Sequence, residues 1–155
     1  MFDETTIPQQ IHSASDYFQP HTQAWSLEIQ KYSGFVFVTP QYNWGYPAVL
    51  KNAIDYLFNE WKGKFATVVS YGGHGGGKAA AQLKQVLNGV RMNVADTMPG
   101  LSLGKELENA AKGKKLNLTG EDAVWDGEKE SILRAYKELM DLIEKGNVSG
   151  KSESE

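Results

Sequence analysis

The chain has 155 residues, 41% of them hydrophobic, and sets 16 Lys and Arg against 19 Asp and Glu for a formal net charge of -3. That length fits one domain with its own core, and the slight acidity offers no electrostatic footprint for nucleic acid. The absence of cysteine excludes disulfides, thiol catalysis and thiolate metal sites, and no apolar run reaches the roughly 18 residues of a membrane-spanning helix.

Met1-Phe2-Asp3-Glu4 lacks the charged-then-apolar order of a secretory leader, so the cytoplasm is the expected location. Residues 1–20 show no period and read as an irregular lead-in. Pro20-His21-Thr22 opens a helix to Tyr32, with Trp25, Ile29 and Tyr32 along one side. Gly34 ends it. Phe35 to Thr39 is a continuous apolar run between breakers, which suits a buried parallel strand. Pro47 sits at the first turn of a second helix, where Leu50, Ala53, Ile54, Leu57 and Phe58 share an apolar face. Phe65 to Tyr71 is a second buried strand. Lys78 to Leu87 reads as a helix, Met92 to Thr97 as a short third strand and Lys105 to Ala111 as a short helix. Glu128 to Lys145 is amphipathic, with Ile132, Tyr136, Leu139, Met140 and Ile143 on one face and Asp126 as a candidate cap. Gly146 to Glu155 is Gly, Ser, Lys and Glu, with 147–155 expected as a disordered tail beyond a domain of residues 1–146. Strand alternating with helix predicts an α/β fold with a parallel sheet.

Two loops stand out against this frame. Thr39-Pro40-Gln41-Tyr42-Asn43-Trp44-Gly45-Tyr46-Pro47 follows the first strand. Its aromatic side chains are large surfaces placed where an open α/β sheet binds ligands, and they raise the idea of a flat, stackable cofactor. Gly72-Gly73-His74-Gly75-Gly76-Gly77-Lys78 follows the second strand and opens a helix. It nearly spells a nucleotide P-loop, but position 79 is Ala where that motif places a magnesium-binding hydroxyl. The other reading of the same glycines is a backbone that approaches a ligand closely at a helix end that favours negative charge. The pyrimidine edge of a reduced flavin carries such charge, so the two loops together describe a seat for an isoalloxazine ring.

The run Phe35-Val36-Phe37-Val38-Thr39-Pro40-Gln41-Tyr42-Asn43-Trp44-Gly45-Tyr46-Pro47-Ala48-Val49-Leu50-Lys51-Asn52-Ala53-Ile54-Asp55-Tyr56-Leu57, followed by Ser70-Tyr71-Gly72-Gly73-His74-Gly75-Gly76-Gly77, resembles the NADPH-dependent FMN reductase family. That group is flavodoxin-like and includes quinone, azo-dye and chromate reductases. The resemblance implies a three-layer sandwich around a parallel sheet of order 2-1-3-4-5. It implies FMN contacts at Pro40, Gln41, Tyr42, Asn43, Trp44, Gly72, Gly73 and His74. It further implies NADPH or NADH as hydride donor, a quinone-like small molecule as acceptor, and a homodimer or higher oligomer through the helix 47–58. Family members begin with a strand, a phosphate-gripping loop, a helix and a second strand. This sequence corresponds to an N-terminally truncated form, which leaves no residue assigned to the FMN phosphate and Phe35–Thr39 without its neighbouring strand. Non-catalytic pairing of a truncated paralogue with an intact subunit is the alternative.

Among single residues, His74 is a possible proton donor at the ring edge. His12 and His21 are expected to face solvent, and three scattered His make no metal site. Trp44 either gates the ring or packs on a partner subunit. Trp25, Trp61 and Trp125 are expected to serve packing. Arg91 is read as a surface charge, with an NADPH phosphate contact as the other reading.

Overall fold

The computed structural model describes residues 3–119 and 123–152, with side chains described as far as residue 146. Its elements are α1 (Pro20–Gln30), β1 (Gly34–Pro40), α2 (Ala48–Asp55), β2 (Phe65–Gly72), α3 (Gly77–Gly89), β3 (Asn93–Val94), β4 (Gly100–Ser102), α4 (Glu106–Ala111) and α5 (Lys129–Ser152). α1 starts on a proline at its first turn, where the missing N–H is not needed. Gly76, at φ 76°, turns the chain into α3.

β1 and β2 pair in parallel from Gly34 opposite Phe65 to Pro40 opposite Tyr71. The second edge of β2 takes β3 at its start and β4 at its end, both parallel. The single third strand expected over Met92–Thr97 is therefore two short ones. Pro99 has no N–H for a continuous ladder, and the chain lifts away between them. Its polar groups are still satisfied. The Ala95 N–H donates to the Ala66 carbonyl at 2.8 Å and the Ser70 N–H to the Pro99 carbonyl at 2.9 Å. Thr67 Oγ1 donates to the Thr97 carbonyl at 3.0 Å. From α5, Glu138 accepts the N–H groups of Asp96 at 2.7 Å and Thr97 at 3.0 Å.

Helices cover both faces of the sheet. On one face Phe35 and Phe37 of β1 lie beside Ala66 and Val68 of β2, under Ile29 of α1, Ile54 of α2 and Leu83 and Leu87 of α3. Trp61 is buried at the centre, edge-on to Phe35 at 5.4 Å between ring centroids and to Trp25 at 6.2 Å. On the other face α5 reaches the N-terminal ends of β1 and β2. A Cβ on Gly34 would meet Ile143 Cδ1 at 2.7 Å, so α5 touches the sheet there. Apolar burial of this kind is worth about 25 cal/mol per Å² and is the main source of stability.

Several boundaries differ from the sequence expectations. The lead-in is not featureless. It holds 3₁₀ turns at Pro8–Gln10 and Ala14–Asp16 and buries Ile11, Ala14 and Tyr17 in the core. The Tyr17 hydroxyl donates to the buried Glu60 carboxylate at 3.1 and 3.2 Å, and Ser26 Oγ donates to it at 2.6 Å. Burial first, and then the Glu60 charge, hold the Tyr17 hydroxyl well above its ordinary pKa. α2 ends at Asp55, before Leu57 and Phe58. Asp126 opens a 3₁₀ turn ahead of α5 and pairs with Lys129 instead of capping the helix. Tyr136 and Met140 are exposed, while Ala135 and Leu139 are buried, because α5 meets only part of the sheet. The helix also continues past Gly146 to Ser152, through residues expected in the tail. Residues 153–155 lie outside the described residues.

Candidate active site

β1 and β2 run side by side, so the loops that leave their C-terminal ends are neighbours. The Gln41 N–H donates to the Tyr71 carbonyl at 2.9 Å, extending the ladder by one bond beyond Pro40. The Gln41 side chain then crosses to the next element. Its Oε1 accepts the backbone N–H groups of Lys78 at 3.0 Å and Ala79 at 3.3 Å. These are the donors that a P-loop offers to phosphate. Here a side-chain amide holds them, and with Ala79 in place of a hydroxyl the P-loop reading fails.

The first loop is a tight reversal. The Tyr42 N–H donates to the Gly45 carbonyl at 2.9 Å, and the Gly45 N–H donates back to Tyr42 at 3.0 Å. Asn43 at φ 46° and Trp44 at φ 72° fill its two central positions, which is the type I′ pattern. Asn accepts that conformation readily. For Trp the left-handed region costs about 1–2 kcal/mol relative to glycine. Such a residue persists only where its surroundings hold it, and two contacts from α3 do so. Gln82 Nε2 donates to the Trp44 carbonyl at 3.2 Å, and Lys78 Nζ lies 4.7 Å from the centroid of the Trp44 ring. The indole nonetheless remains 68% exposed.

The second loop is held from both flanks. Ser70 Oγ donates to the Gly75 carbonyl at 2.8 Å and Ser102 Oγ donates to the Gly73 carbonyl at 3.0 Å. Gly75 and Gly76 have φ values of 81° and 76°. A Cβ on Gly76 would lie 2.9 Å from Ser70 Cβ and from Tyr71 N and O, so both conformation and space demand glycine there.

Between the loops and α3 opens a cleft of about 650 Å³, lined by Gln41, Trp44, His74, Gly77, Lys78, Ala81 and Gln82. Of the residues expected to bind cofactor, Gln41, Trp44 and His74 are in this wall. Pro40, Tyr42, Asn43, Gly72 and Gly73 belong to the same two loops but stand outside it. Gly72 pairs with Ser102, and a Cβ on Gly73 would sit 3.2 Å from Leu107 Cδ2, toward α4. Sequence reasoning missed Lys78 and Gln82. Their signal was spacing: they stand one helical turn apart, and α3 turns that side toward the first loop.

The remaining residues fall elsewhere. His12 and His21 are exposed, as expected. Among the described residues no cluster of His, Asp or Glu could hold a metal ion. Arg91 precedes β3, at the end of the sheet opposite the loops, with its guanidinium 6.0 Å from the Phe58 ring. Trp125 packs on Tyr71 at 6.1 Å and donates its Nε1–H to the Ser102 carbonyl at 3.0 Å. Lys51 pairs with Asp55 along α2 at 2.6 Å.

The sequence profile of NADPH-dependent FMN reductases matches residues 2–103. The chain belongs to this family. It is 55% identical over 106 residues to an NAD(P)H-dependent FMN reductase of Schizosaccharomyces pombe, an alignment covering 68% of this chain and 52% of that protein. It is 58% identical over 92 residues to the NAD(P)H-dependent FMN reductase LOT6 of Saccharomyces cerevisiae, covering 59% and 48%. Among solved structures, the flavoenzyme NAD(P)H:(acceptor) oxidoreductase FerB of Paracoccus denitrificans superposes with a TM-score of 0.65 at 25% identity, covering 83% of this chain and 70% of that one. The chain thus spans about half the length of these two yeast reductases. Its parallel sheet with helices on both faces is the flavodoxin-like α/β fold of the family.

Proposed function

We propose that this chain carries the flavin-ring seat of an NAD(P)H-dependent FMN or quinone reductase. The supporting observation is the adjacency of the two loops, tied together by Gln41, whose backbone N–H bonds to β2 and whose side chain bonds to α3. The residues fit a planar anion-forming ring. Tyr42 and Trp44 offer exposed aromatic surface. Gly72 and Gly73 have no side chains to keep a ring away from the backbone, and the two yeast relatives are named NAD(P)H-dependent FMN reductases.

In this reading Pro40, Tyr42, Asn43 and Trp44 set the plane of the ring, and Gln41 fixes their loop against α3. The Gly72 N–H faces β4 in the ladder, so in this reading the Gly73 N–H is the backbone group that would meet negative charge developing along the ring edge, the logic of an oxyanion hole. His74, exposed at the cleft wall, is the candidate proton donor at that edge. Bound FMN would supply the hydride chemistry between a nicotinamide and a quinone-like acceptor. The chain's own residues bind, orient and polarise. A homodimer through α2 is part of the proposal, since Val49 projects from that helix 78% exposed; sedimentation of the wild type and of Val49→Asp checks it. Among the described residues no helix is long and apolar enough to cross a membrane, and the cytoplasm is the proposed location.

The test is titration of the purified chain with FMN. The expected result is saturable quenching of flavin fluorescence, then bleaching of the flavin band on adding NADPH and its return on adding a quinone. Flavin that stays fully fluorescent in the presence of the chain overturns the reading.

A further inference from the structure

The cleft over α3 has features that a flavin-ring seat does not require. Among the described residues its wall contains no carboxylate, and Lys78 is its one lysine or arginine. Among the described residues no acidic side chain pairs with the Lys78 ammonium, which lies instead over the face of Trp44. A cation over an exposed indole is held weakly. A charge-assisted bond to phosphate is stronger, so a phosphorylated ligand can draw the ammonium off the ring. Its departure uncovers the indole face for an incoming ring. Gln41 already holds the N–H groups of Lys78 and Ala79, so two of the donors at the helix start are taken and the ammonium is the charged group left for the phosphate. The anion contact therefore falls to the side chain.

We propose that Trp44 and Lys78 together bind the adenosine 2′-phosphate end of NADPH, with adenine on the indole and the ammonium on the 2′-phosphate. One residue offers the stacking face and the other the charge, 4.7 Å apart. Once displaced from the indole face, an ammonium held this close by its own side chain meets a phosphate set one sugar from the stacked ring, and not the phosphate of FMN at the end of an extended ribityl chain. Lys78 is then a specificity-determining residue that favours NADPH over NADH. The inference rests on the proposed function for the role of the nucleotide, and its first readout needs no flavin.

The experiment is calorimetric titration of the whole chain with 2′,5′-ADP and with 5′-AMP. Wild-type chain is expected to bind 2′,5′-ADP about tenfold more tightly, the equivalent of one phosphate contact. Lys78→Gln removes that difference, and Lys78→Arg retains it. Trp44→Gly weakens both ligands alike. Glycine suits φ 72° at this turn, so lost binding in that variant is not lost folding. Equal affinities in the wild type, or a preference that survives Lys78→Gln, overturn the proposal. A parallel loss of FMN affinity in Lys78→Gln also overturns it, by giving the ammonium to the flavin phosphate. Failure of the wild type to bind FMN, with the 2′,5′-ADP preference intact, sinks the flavin reading and leaves this site standing.

Discussion

β1 and β2 are adjacent parallel strands of 7 and 8 residues with similar apolar sequences, yet they live in different surroundings. β2 has a strand on each edge and a helix layer on each face, and Ala66 through Ser70 are all buried. β1 buries Phe35 and Phe37 partly against the aromatic core. Its alternate residues Val36 and Val38 are 48% and 63% exposed. The burial of a strand is set by its neighbours, and its own hydrophobicity does not report it. The same contrast separates the loops: the one after β1 displays side chains, and the one after β2 displays backbone.

Substitutions can break this comparison or sharpen it. Leu83→Ala, in α3 beneath β2, removes a fully buried side chain and is expected to cost about 2–5 kcal/mol by urea denaturation. Val68→Thr puts an unpaired hydroxyl on the closed face of β2, an expected loss of about 1–3 kcal/mol. Gly76→Ala forces a Cβ into contacts of 2.9 Å at φ 76°, with an expected loss of about 1–3 kcal/mol and a weakened FMN titration. Val38→Thr, the same exchange as at position 68 but on the open face of β1, is expected to stay within about 0.5 kcal/mol. Equal costs at positions 38 and 68 would erase the contrast. The smallest effect is electrostatic. Hydrogen bonds from Thr97, and from the Asp96 N–H, hold the Glu138 carboxyl below its ordinary range. Its folded pKa is depressed, so its contribution is complete above the ordinary carboxylate pKa and fades as pH falls through the folded value. Acid titration of stability for wild type and Glu138→Gln should diverge above that window and converge below it.

Much of this was legible in the sequence because local signals agreed. Apolar runs bounded by glycine and proline gave both long strands, and the spacing of Leu50, Ile54 and Leu57 gave the inward side of α2 and its extension. What was not legible depended on partners distant in sequence. Tyr17 is buried because Glu60 and the core lie above it, and nothing in a polar lead-in announces that. Tyr136 and Met140 follow a helical period but face outward, because periodicity records a stripe and not what covers it. The split third strand turns on Pro99 and on Glu138, some forty residues later. At the candidate site the loops were readable as aromatic and glycine-rich. The placement of Lys78 on Trp44 was not, since it requires the turn at Asn43 to fold back over α3.

The open side of β1 also dictates how its amides meet deuterium. The Gln41 N–H and the Ser33 carbonyl point at β2, so in this parallel pair the odd-numbered backbone groups face inward. Phe35, Phe37 and Thr39 should then retain their protons, while Val36 and Val38 trade theirs freely with solvent. One strand thereby carries a two-residue rhythm of slow and fast exchange, a signature that vanishes once another strand zips onto that edge.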